Sequence, residues 1–174
     1  MGDEGSMLSP MERKSAIIST CGVFRYELRR VWNDALPPYV SGMLNPSTAD
    51  AEHDDPTIRR NCSRAEALGC GSLIVWNLGA GRATRPDAWK RMTDPIGPDN
   101  DRHIRRVLIE GRERNGVLVA GWGNHGYFMG RDQAAFRIAS ELGVAFRCLG
   151  VTKSGQPRHP LYVAGDQELT VWKD

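Results

Sequence analysis

Apolar residues in this chain fall into two alternating kinds of run. Residues 39–44, 72–78, 117–121 and 145–149 are short, nearly continuous apolar stretches. Continuous stretches of that length suit strands covered on both faces of a parallel sheet. Between them lie segments with helical spacing. In 55–68, Asp55 stands at a cap position, Pro56 occupies the first turn, and Ile58, Cys62, Ala65 and Leu68 or Gly69 recur on one face before Gly69 stops the run. In 99–112, Ile104, Val107, Leu108 and Gly111 share a face. Residues 131–142 form a helix ended by Gly143, and 86–92 predict a short helix. Residues 23–32, with charges at Arg25, Glu27 and Arg29, predict an edge strand that antiparallel pairing would suit. Buried strands alternating with helices imply an α/β fold, a three-layer α/β/α sandwich around a central, mostly parallel sheet. No repeat, low-complexity tract or linker divides the chain. Residues 1–20 therefore read as a flexible tail and 21–174 as a single α/β domain.

The predicted strands end in unusual chemistry. One runs into Gly42-Met43-Leu44-Asn45-Pro46-Ser47, and a late segment reads Arg158-His159-Pro160-Leu161. Proline fixes its own φ and disfavours helix for the residue before it. Asn45 and His159 are thus held extended near strand ends. Asn77 closes Val75-Trp76-Asn77, and Gly121-Trp122-Gly123-Asn124-His125-Gly126 follows the third strand. In an open parallel sheet the carboxyl ends of the strands form the ligand crevice. Each amide alone also reads as a turn or cap; their collection at one sheet edge favours a site. Asn77 offers a donor and an acceptor, enough to read a base edge or to tie two loops. His159 reads as an acid, an electrophile stabilising charge on a departing base, or a core histidine. His125 could meet phosphate through its glycine loop or lie in a surface turn. Arg82 and Arg85, in the loop after the Asn77 strand, could grip phosphate or be solvated. Arg59, Arg60, Arg64, His53 and His103 read as solvated.

Composition narrows the classes. The 174 residues are 40% apolar and 25% charged, as in an ordinary globular domain. No stretch approaches the ~20 apolar residues of a membrane span, and the first residues lack a signal peptide's order. Cys21, Cys62, Cys70 and Cys148 have no CxxC spacing and read as buried free thiols, with a cytoplasmic location as the expectation. Net charge is only +2, yet 19 of the 23 basic residues are arginine, the side chain suited to bidentate phosphate contacts. Codon bias explains that excess equally well. Neighbouring His53, Asp54 and Asp55 point in different directions, so no metal is expected. There is no GxSxG elbow, P-loop or dinucleotide glycine pattern.

The order of the motifs resembles the uracil-DNA glycosylase superfamily. In that family an Asn or Asp before proline positions the attacking water, as Asn45-Pro46 would. A later strand ends in an Asn that reads the base, as Asn77 would, and a histidine before proline stabilises the leaving base, as His159-Pro160 would. The family's glycine two places before the catalytic residue is Met43 here, Leu161 replaces a serine, and Trp76, Trp122 and Tyr162 are the available stacking aromatics. Over nearly its full length the chain is also similar to the domain-of-unknown-function 1643 family, through Met43-Leu44-Asn45-Pro46-Ser47-Thr48-Ala49-Asp50, Asp55-Pro56-Thr57, Asn77-Leu78, Arg82-Ala83-Thr84, Asp94-Pro95-Ile96-Gly97, Asn100-Asp101, Trp122-Gly123 and His159-Pro160-Leu161-Tyr162. Together the resemblances imply a glycosylase-like fold and a hydrolase that cleaves the bond to a base in DNA or a nucleotide without a cofactor. Asn45 and His159 would be catalytic. Pro46, Ser47, Asn77, Arg82, Arg85, Trp122, Gly123, Asn124, His125, Arg158 and Tyr162 would hold the substrate. A nucleic acid or nucleotide is the expected partner, and a membrane is not. The rivals are a non-catalytic nucleic-acid or nucleotide binding module, and a hydrolase or transferase of a phosphorylated metabolite.

Overall fold

The computed structural model describes residues 13–173. Seven strands form one mixed sheet: β1 (Arg13–Ile18), β2 (Arg25–Val31), β3 (Pro38–Met43), β4 (Ser72–Asn77), β5 (Val117–Ala120), β6 (Arg147–Cys148) and β7 (Thr170–Val171). Their order is β1-β2-β4-β3-β5-β6-β7. The central β4, β3, β5 and β6 run parallel, while β1, β2 and β7 pair antiparallel at the two flanks. The helices are α1 (Pro56–Ala67), α2 (Pro86–Lys90), α3 (Asn100–Glu113) and α4 (Arg131–Glu141). Among the described residues no helix is long and apolar enough to cross a membrane.

Every residue of β3 and β4 is buried, because helices cover both faces of the sheet. Val40, Ile74 and Trp76 pack with Trp89 of α2, Ile104, Val107 and Leu108 of α3, and Ala135 and Ile138 of α4. Tyr39, Met43, Leu73 and Val75 face the other way, against Ile58 and Ala65 of α1. The side-chain period of two along a strand divides the residues between these clusters. Asp55 caps α1 as its position suggests, accepting from Ile58 N at 2.9 Å.

Gly42 is fixed by its neighbour rather than by its dihedrals. It pairs in register with Trp76 of β4, and a Cβ built on it would stand 2.4 Å from the Trp76 ring. That ring is fully buried and packs against Trp122 and Phe146. The glycine of the strand-end peptide therefore makes room for one of the core's buried tryptophans, and Trp76 is unavailable for stacking on a ligand.

Several expectations are corrected. The 23–32 segment is not an edge, since β1 pairs along it. Residues 13–18 of the expected tail form that covering strand, and the rest of it lies outside the described residues. Glu27 and Arg30 are fully buried. Glu27 meets Arg29, Arg106 and His103, and Arg30 pairs with Asp54 at 2.7 Å. His103 is thus no solvated histidine, and its ring stacks on Tyr26. Arg60 and Arg64 are not solvated either: they donate to the carbonyls of Val163, Ala164 and Gln167, tying the C-terminal segment to α1. The expected strand over 145–149 shrinks to β6, with Phe146 and Leu149 still buried. Of the four cysteines expected to be buried, Cys70 and Cys148 are, while Cys21 is exposed and Cys62 only partly buried.

Replacing Gly42 with alanine should destabilise the fold by about 1–3 kcal/mol through overpacking. Urea denaturation would read this as a lower midpoint at an unchanged slope. An unchanged midpoint would mean that the Trp76 ring yields freely.

Candidate functional site

A cavity of about 580 Å³ opens at the carboxyl ends of β3, β4 and β5, on the α1 side of the sheet. That volume lies within the usual range for small-molecule sites, ~300–1,000 Å³. Met43, Val75 and Asn77 form its sheet floor, and Asp55 to Ile58 of the α1 start form one wall. Opposite them stand Trp122 to His125, and Arg158, His159, Leu161 and Tyr162 close the rim. Four segments distant in sequence meet here because the parallel strands all deliver their ends to one edge.

Asn77 is the most constrained polar group of the site. It is 1% exposed, and neither its Nδ2 nor its Oδ1 has a hydrogen-bond partner in the protein. It follows Leu73 and Val75 at the two-residue strand period, so its side chain emerges toward α1 and the cavity. An orphaned buried amide costs about 1–3 kcal/mol per group. The backbone carbonyl of Asn77 is occupied separately, by Asn100 Nδ2 at 2.9 Å.

Asn45 is held the other way round. Its Nδ2 donates to Ala83 O at 2.8 Å and to Pro46 O at 3.1 Å, which commits both donors and leaves Oδ1 as an acceptor. Pro46 itself is buried and off the cavity wall; its carbonyl also accepts from Ala83 N. Its role is to lock the loop after β3 to the loop after β4.

His159 has the extended backbone expected before proline, φ −69° and ψ 135°. Its Nδ1 accepts from Leu161 N at 3.2 Å. The neutral ring therefore carries its proton on Nε2, as a donor. Burial pushes its pKa below the ordinary histidine value, against a smaller opposing pull from the Asp55 carboxylate. His125 repeats the arrangement: Lys90 Nζ stands 2.9 Å from its Nδ1, and burial followed by the Lys90 charge lowers its pKa. Gly123 makes the turn between these walls possible. Its φ of 72° with ψ of −168° is a conformation open essentially to glycine alone.

Loops beneath the site are braced by amides. Trp122 Nε1 donates to Gln156 Oε1 at 2.9 Å, and Gln156 Nε2 donates to Asp132 at 2.8 Å. Trp122 thus contributes only an edge to the wall; the ring is 2% exposed and belongs to the core. The exposed aromatic at the rim is Tyr162, 75% accessible, with its ring centroid 5.4 Å from that of His159.

Of the residues singled out in the sequence, the cavity brings together Asn45, Ser47, Asn77, Trp122, Gly123, Asn124, His125, Arg158, His159 and Tyr162. It leaves out Pro46, Arg82 and Arg85. Arg82 reaches toward Gly22 O at 3.4 Å, and exposed Arg85 stands at the start of α2. Two charged residues on the wall are not among the sequence candidates for the site. Asp55 both caps α1 and, among the described residues, is the one carboxylate on the wall. Arg25, whose place in the sequence suggests an edge-strand charge, is 3% exposed and lines the cavity. Among the described residues no group of three or more His, Cys, Asp or Glu could hold a metal ion.

A family model described as "Protein of unknown function (DUF1643)" matches residues 25–161, and the chain belongs to that family. No curated protein and no solved structure matches it.

The lowered pKa of His159 has a definite sign. The folded state binds a proton less readily than the unfolded chain, so stability falls as pH drops below about 6.5, the ordinary histidine value. Histidine NMR titration should place His159 below that value, with the Nε2 tautomer at neutral pH. A titration above 6.5 would contradict the burial argument.

Proposed function

We propose that this DUF1643 protein is a glycosylase-like hydrolase that cleaves the N-glycosidic bond of a base in DNA or a nucleotide. On this reading the mixed sheet with helices on both faces is a three-layer α/β/α sandwich of the uracil-DNA glycosylase kind. The supporting observation is the buried, unpartnered Asn77 amide on the cavity floor. A donor and an acceptor on one planar group match the paired acceptor and donor of a nucleobase edge. Binding would convert a desolvation cost into two hydrogen bonds.

The remaining groups fit the same step. Asn45 Oδ1 holds a water by accepting a hydrogen bond from it. As the water oxygen bonds to the anomeric carbon, the carbon–nitrogen bond breaks and its electron pair leaves with the base. The neutral His159 ring donates from Nε2 to the oxygen on which that charge collects. The Asp55 carboxylate faces the positive charge of the sugar and takes the proton that the water loses. Tyr162 offers a face on which the base can stack. No redox equivalent enters, and preorganised dipoles with a positioned water supply the acceleration.

The binding-module reading shares the Asn77 contact and differs only in turnover. Nucleosides, nucleotides and oligonucleotides carrying different modified bases would be incubated with the protein, scoring free base and abasic sites. Base release should fall about 10²-fold or more in Asn45→Ala, on the scale of losing a group that acts in the transition state. Asn77→Asp should change which base is released. Binding without release in every substrate would leave the module reading; release undiminished by Asn45→Ala would remove the water-holding role.

A further inference from the structure

Arg25 is the buried charged group of the cavity that the hydrolysis does not use. By simple alternation it would lie on the same face as Glu27 and Arg29, against α3. The pairing of β1 with β2 breaks that alternation: Ile17 pairs with Glu27 and Ile18 with Arg25, so Tyr26 is an extra residue on β2. A bulge of this kind re-aims the next side chain. Tyr26 and Glu27 both meet His103 of α3. Arg25 turns to the opposite side, where its Nη1 donates to Ala49 O, beside Arg30, which reaches Asp50 O and Asp54.

There the guanidinium is under-used. Its Nε is buried without a partner, and it forms no ion pair among the described residues. The nearby carboxylates are engaged: Asp54 by Arg30, Asp50 by the backbone N–H groups of Glu52 and His53, and Asp55 by its cap to Ile58. Burial, together with the charges of Arg82 and Arg30, brings the Arg25 pKa down to about 10 against a pull from Asp55, so it remains a cation at neutral pH. A buried cation short of acceptors is costly unless an anion completes it.

We infer that Arg25 anchors a phosphate inside the cavity, and that the substrate is a free nucleoside monophosphate rather than a base within a DNA strand. This rests on the glycosylase reading above and narrows it. A guanidinium 3% exposed at the cavity wall is reached by a terminal phosphate that enters with the ligand. A backbone phosphate carries chain on both sides and crosses a protein surface, where arginines such as Arg158 stand. Arginine's planar fork suits a phosphate's oxygens, and charge-assisted bonds of this kind are the strong ones.

The test compares nucleoside 3′- and 5′-monophosphates, the matching nucleosides, ribose 5-phosphate and a single-stranded oligonucleotide, by calorimetry on the full chain. A monophosphate should bind about 10- to 100-fold tighter than its nucleoside, the worth of one hydrogen-bonded charge pair. Arg25→Gln should erase that ratio while leaving nucleoside affinity in place. Arg25→Lys, which keeps the charge without the fork and guards against misfolding of the first variant, should retain part of it. Equal binding of nucleoside and monophosphate, a ratio that survives Arg25→Gln, or an oligonucleotide that binds as tightly as the monophosphate would each overturn the inference, and the glycosylase reading would stand if the base is still released. Conversely, ribose 5-phosphate binding as well as the nucleotide, with affinity lost in Arg25→Gln, would keep the anchor and remove the base-reading role of Asn77.

Discussion

The cost of burying a polar group without a partner governs this molecule. Asn77 ends a strand whose every residue is buried, and its amide faces a cavity with neither atom bonded to protein. Folding alone gains nothing from that arrangement. An apolar residue of similar size would continue the floor that Met43 and Val75 begin. On the proposed reading the Asn77 amide is half of a recognition contact, and the roles proposed for Asn45, His159 and Asp55 belong to the same cavity.

Two devices prepare the groups around it. The first is the removal of competing bonds. Asn45 spends both donors on backbone carbonyls, and His159 spends Nδ1 on a backbone N–H, so each presents a single defined atom. That is preorganisation by local hydrogen bonding, with little entropy left to lose on binding. The second is rigid support from below. Trp76, held over Gly42, and the Trp122–Gln156–Asp132 chain brace the strand ends and the loop that leads to His159. Tightly packed aromatics thus serve the site indirectly, and Tyr162 alone among the aromatics considered for stacking is exposed at the rim.

Much of the plan was legible along the chain because it depends on local rules. Continuous apolar runs marked β3 and β4, pre-proline stiffness marked the backbone of His159, and the Asp55-Pro56 pair marked the start of α1. Asn45, Asn77 and His159 stood out as candidates because amides at the ends of buried strands and an imidazole before proline are conspicuous. The misreadings share another origin. Arg25, Glu27 and Arg29 look like the solvated face of an edge strand, since charge in a sequence implies water unless distant partners are known. The partners of the latter two, His103, Arg106 and Glu110, lie more than seventy residues away. Arg82 and Arg85 stay off the cavity wall for the complementary reason: proximity in sequence to a strand end does not say which way a loop side chain leaves.

The sequence by itself determined the class of fold, the positions of the central strands and main helices, and which strand ends carry polar groups. Periodicity, capping and proline stereochemistry act over a few residues and leave their mark in the string. Tertiary structure decided that those ends share one cavity, that β1 covers β2, and that one extra residue at Tyr26 turns Arg25 into the site. Strand pairing, register and burial are set by free energies summed over residues far apart in the chain, and a bulge is a property of two strands together.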